Sequence, residues 1–364
     1  MTIPSLASTE EAAAPALSVP TTLPAASRQL LHAGRRTVFV RRAEWKTGTR
    51  MAADELSAWL RRRRVRESVL LTMLSEHRYL TTEQIRSVFF PSLRAAQYQL
   101  RFLAVELRLV MRWPQLEPVV VTDGPAPTFW GWLRRSSLLL LTERGAAVVA
   151  AYRRLDLQSL VRRSFYAAEY CFHVEHDLEA NAFWVGLASA ARDRPDQGLY
   201  HWVGDDAMRR NYQELGVDLA PDGWGRYLTA DREVLFALEW DRGTEAPQRL
   251  ARKAQGYVSH RAGRVGESNH VLVVLPSPTR EDSIRDALAR VMSAGRSVRF
   301  WTTHAALIHE LGPLGEIWKE ASSEHESRID LPAMPGRPRT ARRVEDCIGK
   351  PTWWERRPGG GGGA

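Results

Sequence analysis

Asp222, Glu239 and Asp241 are the residues of this sequence whose types and spacing best suit chemistry. Glu239 and Asp241 stand two apart at the end of an apolar run, Glu233 to Leu238, that reads as a strand. Alternate side chains of a strand share a face, so both carboxylates point the same way. Asp222 lies between Pro221 and Gly223, at an expected turn that opens a strand pair and brings it toward the same spot. Converging carboxylates repel, and a hard divalent cation with oxygen ligands is the usual way to hold them together. The bland alternative is a Pro-Asp-Gly turn and solubilising acids at a strand edge.

The elements that must position these groups read as α/β. Strands are expected at Leu199 to Val203, Arg226 to Thr229 and Glu233 to Glu239, followed by a basic amphipathic helix, Pro247 to His260, that carries Lys253 and Tyr257. Val271 to Leu275 is a continuous apolar run, as expected of a strand buried on both faces. A helix from Glu281 to Ala294 and a strand from Val298 to Thr302 complete the unit. Ahead of them runs one long helix, about Tyr166 to Arg192, with His173, His176 and Asp177 at helical spacing. That order is not the His-Glu-x-x-His of zinc peptidases, so a helix-packing role is expected for these histidines.

The N-terminal part has a different grammar. Residues 1–50 lack periodicity, begin rich in Ala, Pro, Ser and Thr, and read as a disordered arm. Arg61, Arg62, Arg63 and Arg64 form a basic run suited to sequence-independent phosphate contact. Val69, Leu70, Met73 and Leu74 mark one helix, and Thr81 with Gln84 forms a capping-box start for a second. A third begins after Pro91-Ser92 and buries Ala96, Leu100, Leu103 and Leu107. Its other face offers Arg94, Gln97, Gln99, Arg101 and Arg108, with Arg112 just beyond. Helix, short helix, polar-faced helix is the order of a helix-turn-helix, whose last helix enters the DNA major groove. The segments Leu109 to Trp113 and Thr128 to Leu133 fit a wing, and Leu139 to Gly145 resembles the close of many winged-helix domains. A helical bundle with solvated arginines is the competing reading.

Composition agrees with a polyanionic partner. The 364 residues carry a formal charge of +9, and an apolar fraction of 44% can supply real cores. Two cysteines, Cys171 and Cys347, offer no disulfide framework, which points to a reducing cytoplasm. No signal peptide or bilayer-length apolar run is visible, so no membrane partner is expected. Residues 321–364 decline into Pro, Gly and Arg, end in a five-glycine run, and read as a flexible basic tail.

The order helix, strand pair, Pro-Asp, strand ending in Glu-x-Asp, helix, buried strand resembles the PD-(D/E)xK nuclease superfamily. That resemblance implies Asp222 and Glu239 as ligands of Mg2+ or Mn2+, with the Trp240 carbonyl as a third. It implies Lys253 as the positive group beside the attacking water, and Glu175 as the family's helical glutamate. The sequence departs from the pattern at Asp241, which stands where lysine is expected. Residues 66 to about 260 are also similar to the plasmid replication-relaxation family. The resemblance rests on His176-Asp177-Leu178, the Pro-Asp, Glu239-Trp240-Asp241-Arg242-Gly243-Thr244, and Lys253 with Tyr257. It implies a plasmid or mobile-element protein that acts on double-stranded DNA, alone or with other replication or transfer proteins.

The expected architecture is therefore α/β (α+β overall). A winged helix-turn-helix over 51–155 precedes a PD-(D/E)xK nuclease-like α/β domain over 160–320. Two functions remain open: a metal-dependent endonuclease or nickase, and a catalytically inactive DNA-binding initiator or regulator on the same fold.

Overall fold

The computed structural model describes residues 53–62, 65–113, 137–169, 174–214, 219–243, 246–259, 270–292, 298–322, 327–340, 342–351 and 353. All lie within one unit, Val38–Ala364. The architecture is mixed helix and sheet.

The first elements are α1 (Ala53–Arg62), α2 (Val65–His77), β1 (Leu80–Thr81), α3 (Thr82–Phe89) and α4 (Leu93–Arg101), which runs on as a π-helical turn, Phe102–Glu106. The capping box is present: Thr81 Oγ1 accepts from Gln84 N–H at 3.0 Å, and Gln84 Oε1 accepts from Thr81 N–H at 2.8 Å. Ser92 caps α4 through Ala95 N–H. These caps satisfy amides that a helix start leaves unpaired, and so fix where each helix begins. Ile85, Val88, Ala96, Leu100 and Leu103 are buried together. Behind the helices, β2 (Val110–Trp113) and β1 flank β3 (Leu138–Leu141), both antiparallel to it. The second expected wing strand, Thr128 to Leu133, lies outside the described residues. Two helices follow β3, α5 (Glu143–Arg153) and α6 (Leu157–Glu169).

The larger sheet is built around β6 (Arg232–Trp240). On one side it pairs antiparallel with β5 (Gly223–Leu228), which pairs with β4 (Gly198–Gly204). On the other it pairs parallel with β7 (His270–Leu275) and then β8 (Arg299–His304). The crossovers are α9 (Pro247–Ser259) and α10 (Pro278–Met292), as parallel pairing requires. The sheet separates two cores. Phe236, Leu238 and Trp240 face Phe183 and Trp184 of α7 (Val174–Ala190), whereas Leu235 and Ala237 face α8 (Asp205–Glu214), α9 and α10. The period-2 alternation of β6 thus assigns its odd-numbered side chains, Glu239 among them, to the α9 face.

The long helix expected before the sheet is present as the end of α6 and as α7, and residues 170–173 lie outside the described residues. One expectation needs correction. The segment after 321 is no flexible tail over its described part. Strand β10 (Arg337–Pro338) pairs with the start of β6, and Leu331, Met334, Val344, Ile348 and Trp353 are buried. They are too widely spaced to form a stripe, and they pack into cores that other elements build. A short helix, α11 (Ala305–Leu311), and a two-residue strand, β9 (Lys319–Glu320), lie between. Among the described residues no helix is long and apolar enough to cross a membrane.

Candidate functional site

The register of β5 and β6 decides the geometry. Gly223 lies opposite Leu238, and Asp222 N–H donates to Leu238 O at 2.9 Å, so one step further sets Asp222 opposite Glu239. Opposed residues of an antiparallel pair share a face, and the two carboxylates are therefore neighbours. Gly223 is needed here: a Cβ would lie 2.2 Å from the Trp202 ring, and that ring holds β4 against the turn.

Each carboxylate has its own set of donors. Asp222 Oδ2 accepts from Trp240 N–H at 2.7 Å and lies 3.3 Å from His176 Nε2, which reaches it from the start of α7. Glu239 Oε2 is 2.5 Å from Lys253 Nζ, and Glu239 Oε1 accepts from Tyr257 Oη at 2.6 Å. Lys253 and Tyr257 are four apart on α9, so one face of that helix presents both. Helix α9 thus clamps both oxygens of a glutamate that is 3% exposed.

The electrostatics follow from burial and company. Burial pushes the Glu239 carboxyl up and the Asp222 charge adds to it; Lys253 opposes them, and the result is about 7. Burial also works against an ionised Asp222, but the hydrogen bond and charge of His176, with Lys253 and the Trp240 amide, hold it below the ordinary aspartate value. Burial pulls His176 down, yet its bonds and charge contacts with Asp177 and Asp222 outweigh that and raise it to about 11. At neutral pH His176 is an imidazolium. The centre thus sets two cations beside two acids.

Asp241 does not join this pair. It begins where β6 ends, and both its oxygens are occupied: Oδ1 by Gly243 N–H at 2.8 Å, Oδ2 by Arg280 of α10 at 2.9 Å. Arg242 turns to Glu179 of α7 at 3.3 Å. Glu175 lies in the first turn of α7, and its side chain is outside the described residues.

A second polar cluster adjoins the first. Arg78 ends α2 with a left-handed backbone, φ 60°, and its guanidinium bridges Asp177 at 3.0 Å and Asp205 and Asp206 at 3.3 Å each. Non-glycine residues seldom adopt that conformation, so the bridge offsets its cost. A small cleft lined by His77, His176, Asp177, Asn181, Asp205 and Asp222 opens between them. Burial pushes the carboxyl of Asp205 up to about 6 against the pull of Arg78, and burial alone drops His77 to about 3, leaving it neutral.

The expected DNA-facing residues are placed as follows. Arg94, Gln97, Arg101, Arg108 and Arg112 are exposed; Gln99 instead donates to Glu67 at 2.9 Å. Arg61 is exposed, the Arg62 side chain is not described, and Arg63 and Arg64 lie outside the described residues.

Sequence reasoning missed His176, which was expected to pack a helix and instead contacts Asp222. It also missed Arg78 and Asp205. The available signal for His176 was its place beside Asp177 near the start of a helix, a pairing of acid and imidazole that a purely packing role does not need.

One comparison bears on this geometry. The replication-relaxation family model matches residues 71–275, from α2 to the end of β7, and so spans both carboxylates, His176, Lys253 and Tyr257. The chain belongs to the replication-relaxation family. Membership suggests a role in plasmid replication or relaxation. No curated protein matches the chain.

For a divalent ion, the donor set as it stands is poor. The carboxylate oxygens of Glu239 face Lys253 and Tyr257, and Asp222 faces an imidazolium. Among the described residues no group of three or more His, Cys, Asp or Glu is arranged to hold a metal ion. Hard cations take six or more oxygens, so an ion here would have to displace Lys253.

Proposed function

We propose that the protein binds DNA of a plasmid or other mobile element and acts there in replication, mobilisation or relaxation. In this reading α3 and α4 are the helix-turn-helix of a winged-helix module, and the α/β part is a nuclease-like scaffold that grips DNA without cutting it. The observation that carries it is the exposed face of α4, where Arg94, Gln97 and Arg101 stand at helical spacing with Arg108 beyond. Family membership and the +9 charge support it. The scaffold's acidic pair is balanced by His176 and Lys253, and this favours grip over metal-dependent cleavage.

The test is binding of the parent and of Arg101→Ala to duplexes from its own replicon and to random duplexes. Arg101→Ala is expected to weaken binding to the replicon site by about 1–3 kcal/mol and to random DNA by less. Equal loss on both would make Arg101 a phosphate contact. No salt-sensitive binding by the parent would overturn the reading.

A second reading has its own support in the opposition of Asp222 and Glu239 with Lys253 beside them. In that reading the protein would nick DNA, Asp222 and Glu239 would be the residues to hold Mg2+ or Mn2+ once Lys253 leaves Glu239, and the ion would supply Lewis acidity.

A further inference from the structure

Glu233 begins β6, is fully buried, and has three arginines on it. Arg337 Nε of β10 is 2.8 Å from Oε1; Arg226 Nε of β5 and Arg342 Nη1 lie 3.7 and 3.6 Å from Oε2. One carboxylate cannot neutralise three guanidiniums. The long distances reflect this: Arg226 Nε and Glu233 Oε2 are buried without a hydrogen-bond partner. Arg226 is held below its ordinary basicity by burial first, and the charges of Arg342 and Arg337 add to that while Glu233 opposes them.

The surroundings deepen the surplus. Arg339 donates to Thr229 O at 3.0 Å, Arg232 pairs with Asp231, and Arg343 with Glu345. Among the described residues, these six arginines thus have three acids among their partners. Two of the guanidiniums are held by aromatic rings: Arg342 lies over the Tyr200 ring at 5.6 Å and Arg226 over the Trp224 ring at 5.7 Å. Fixed planar forks with spare N–H donors are what a phosphodiester oxygen pair recognises.

We infer that Arg337 and Arg342, both set against the start of β6, form with Arg226 a second DNA contact that takes backbone phosphates without regard to sequence. It rests on the DNA-binding reading above and adds a contact that α4 does not supply. The patch lies on the same face of the β5–β6 pair as Asp222 and Glu239. Six residues of strand at about 3.3 Å each separate Glu233 from Glu239, so the two are about 20 Å apart along a backbone.

Binding of the full chain to a random-sequence duplex, titrated across a range of salt, tests this. Arg337→Gln with Arg342→Gln is expected to make the slope of log Kobs against log salt shallower by about 2, as loss of two phosphate contacts requires. Arg337→Lys with Arg342→Lys keeps the charge and should keep most of the slope. Glu233→Gln removes the acid while leaving every arginine, and should tighten binding. Were the arginines present only to anchor β10, Glu233→Gln would leave binding equal or weaker, and the inference falls. It also falls if the folded Gln pair, checked by circular dichroism, keeps the parent slope. A parent that fails to bind any duplex overturns this contact and the proposed function together. A parent that binds while these variants behave like it overturns this contact alone.

Discussion

Glu233 and Glu239 occupy the two ends of one strand, point to the same face and are both buried, yet their surroundings are opposite. Glu239 has another carboxylate across the strand pair, one ammonium and one phenol. Glu233 has three guanidiniums and no acid among its ion pairs. The first is a balanced centre whose acid is pushed up to about 7; the second is a cationic surplus. Burial alone therefore says little about a glutamate's role. The number and sign of charges that adjacent elements bring to it decide whether it is poised to exchange a proton or serves as the hub of a basic patch.

The largest expected effect separates the two ends physically. Trp353 is fully buried, with its ring 5.5 Å from that of Phe89, and it helps hold the chain beyond β10 onto the core. Trp353→Ala should cost about 3–5 kcal/mol in chemical denaturation. If that part of the chain is one cooperative piece with the sheet, intrinsic fluorescence and circular dichroism will report a single shifted transition. Two separated transitions would show that the Glu233 end folds independently of the Glu239 end.

The next effect concerns pH. Glu239 binds its proton more tightly in the folded chain than when unfolded, because its value rises from 4.5 to about 7. Between those values the unfolded state gives up the proton first, so the contribution of Glu239 to stability falls as pH rises. Glu239→Gln removes that dependence. Relative to the parent, the variant should gain up to about 3 kcal/mol across pH 4.5 to 7 and stay level above it. A difference curve that is flat, or that rises toward acid, would mean that Lys253 and Tyr257 already stabilise the ionised acid fully.

A smaller contrast follows from partner number. Lys253→Met leaves Glu239 beside Asp222 with only Tyr257 donating, at a cost of about 1–3 kcal/mol, reduced because Lys253 is one-third exposed. Arg337→Gln leaves Glu233 two arginines and should cost less than about 1 kcal/mol. Thermal melts of both variants would settle the order, and a reversed order would break the contrast between the two ends.

Much of the sheet was legible from the sequence because its signals are local. The continuous apolar run of β7, the Thr81–Gln84 cap and the buried stripe of α4 each specify an element within about ten residues. The pairing of β5 with β6 follows from a short turn, which is why Asp222 and Glu239 can be related from sequence. What escaped is long-range. His176 meets Asp222 across 46 positions, and Arg78 meets Asp205 across 127. No periodicity encodes such contacts. Beyond residue 321 the apolar residues are too sparse to form a stripe, so a segment that docks one side chain at a time looks like a tail. Asp241 misled differently: as part of Glu-x-Asp it shares a face with Glu239 in principle, but the strand ends at Trp240 and Arg280 takes its carboxylate away.

The central claim is that His176 and Lys253 already balance the acidic pair, so the protein grips DNA without metal-dependent cutting. Supercoiled plasmid carrying the protein's own replicon, incubated with the full chain in Mg2+ or Mn2+, tests it most directly. The account predicts retarded plasmid that is still supercoiled once the protein is stripped away. Nicked or linear product that needs the metal and disappears in both Asp222→Ala and Glu239→Ala would contradict it.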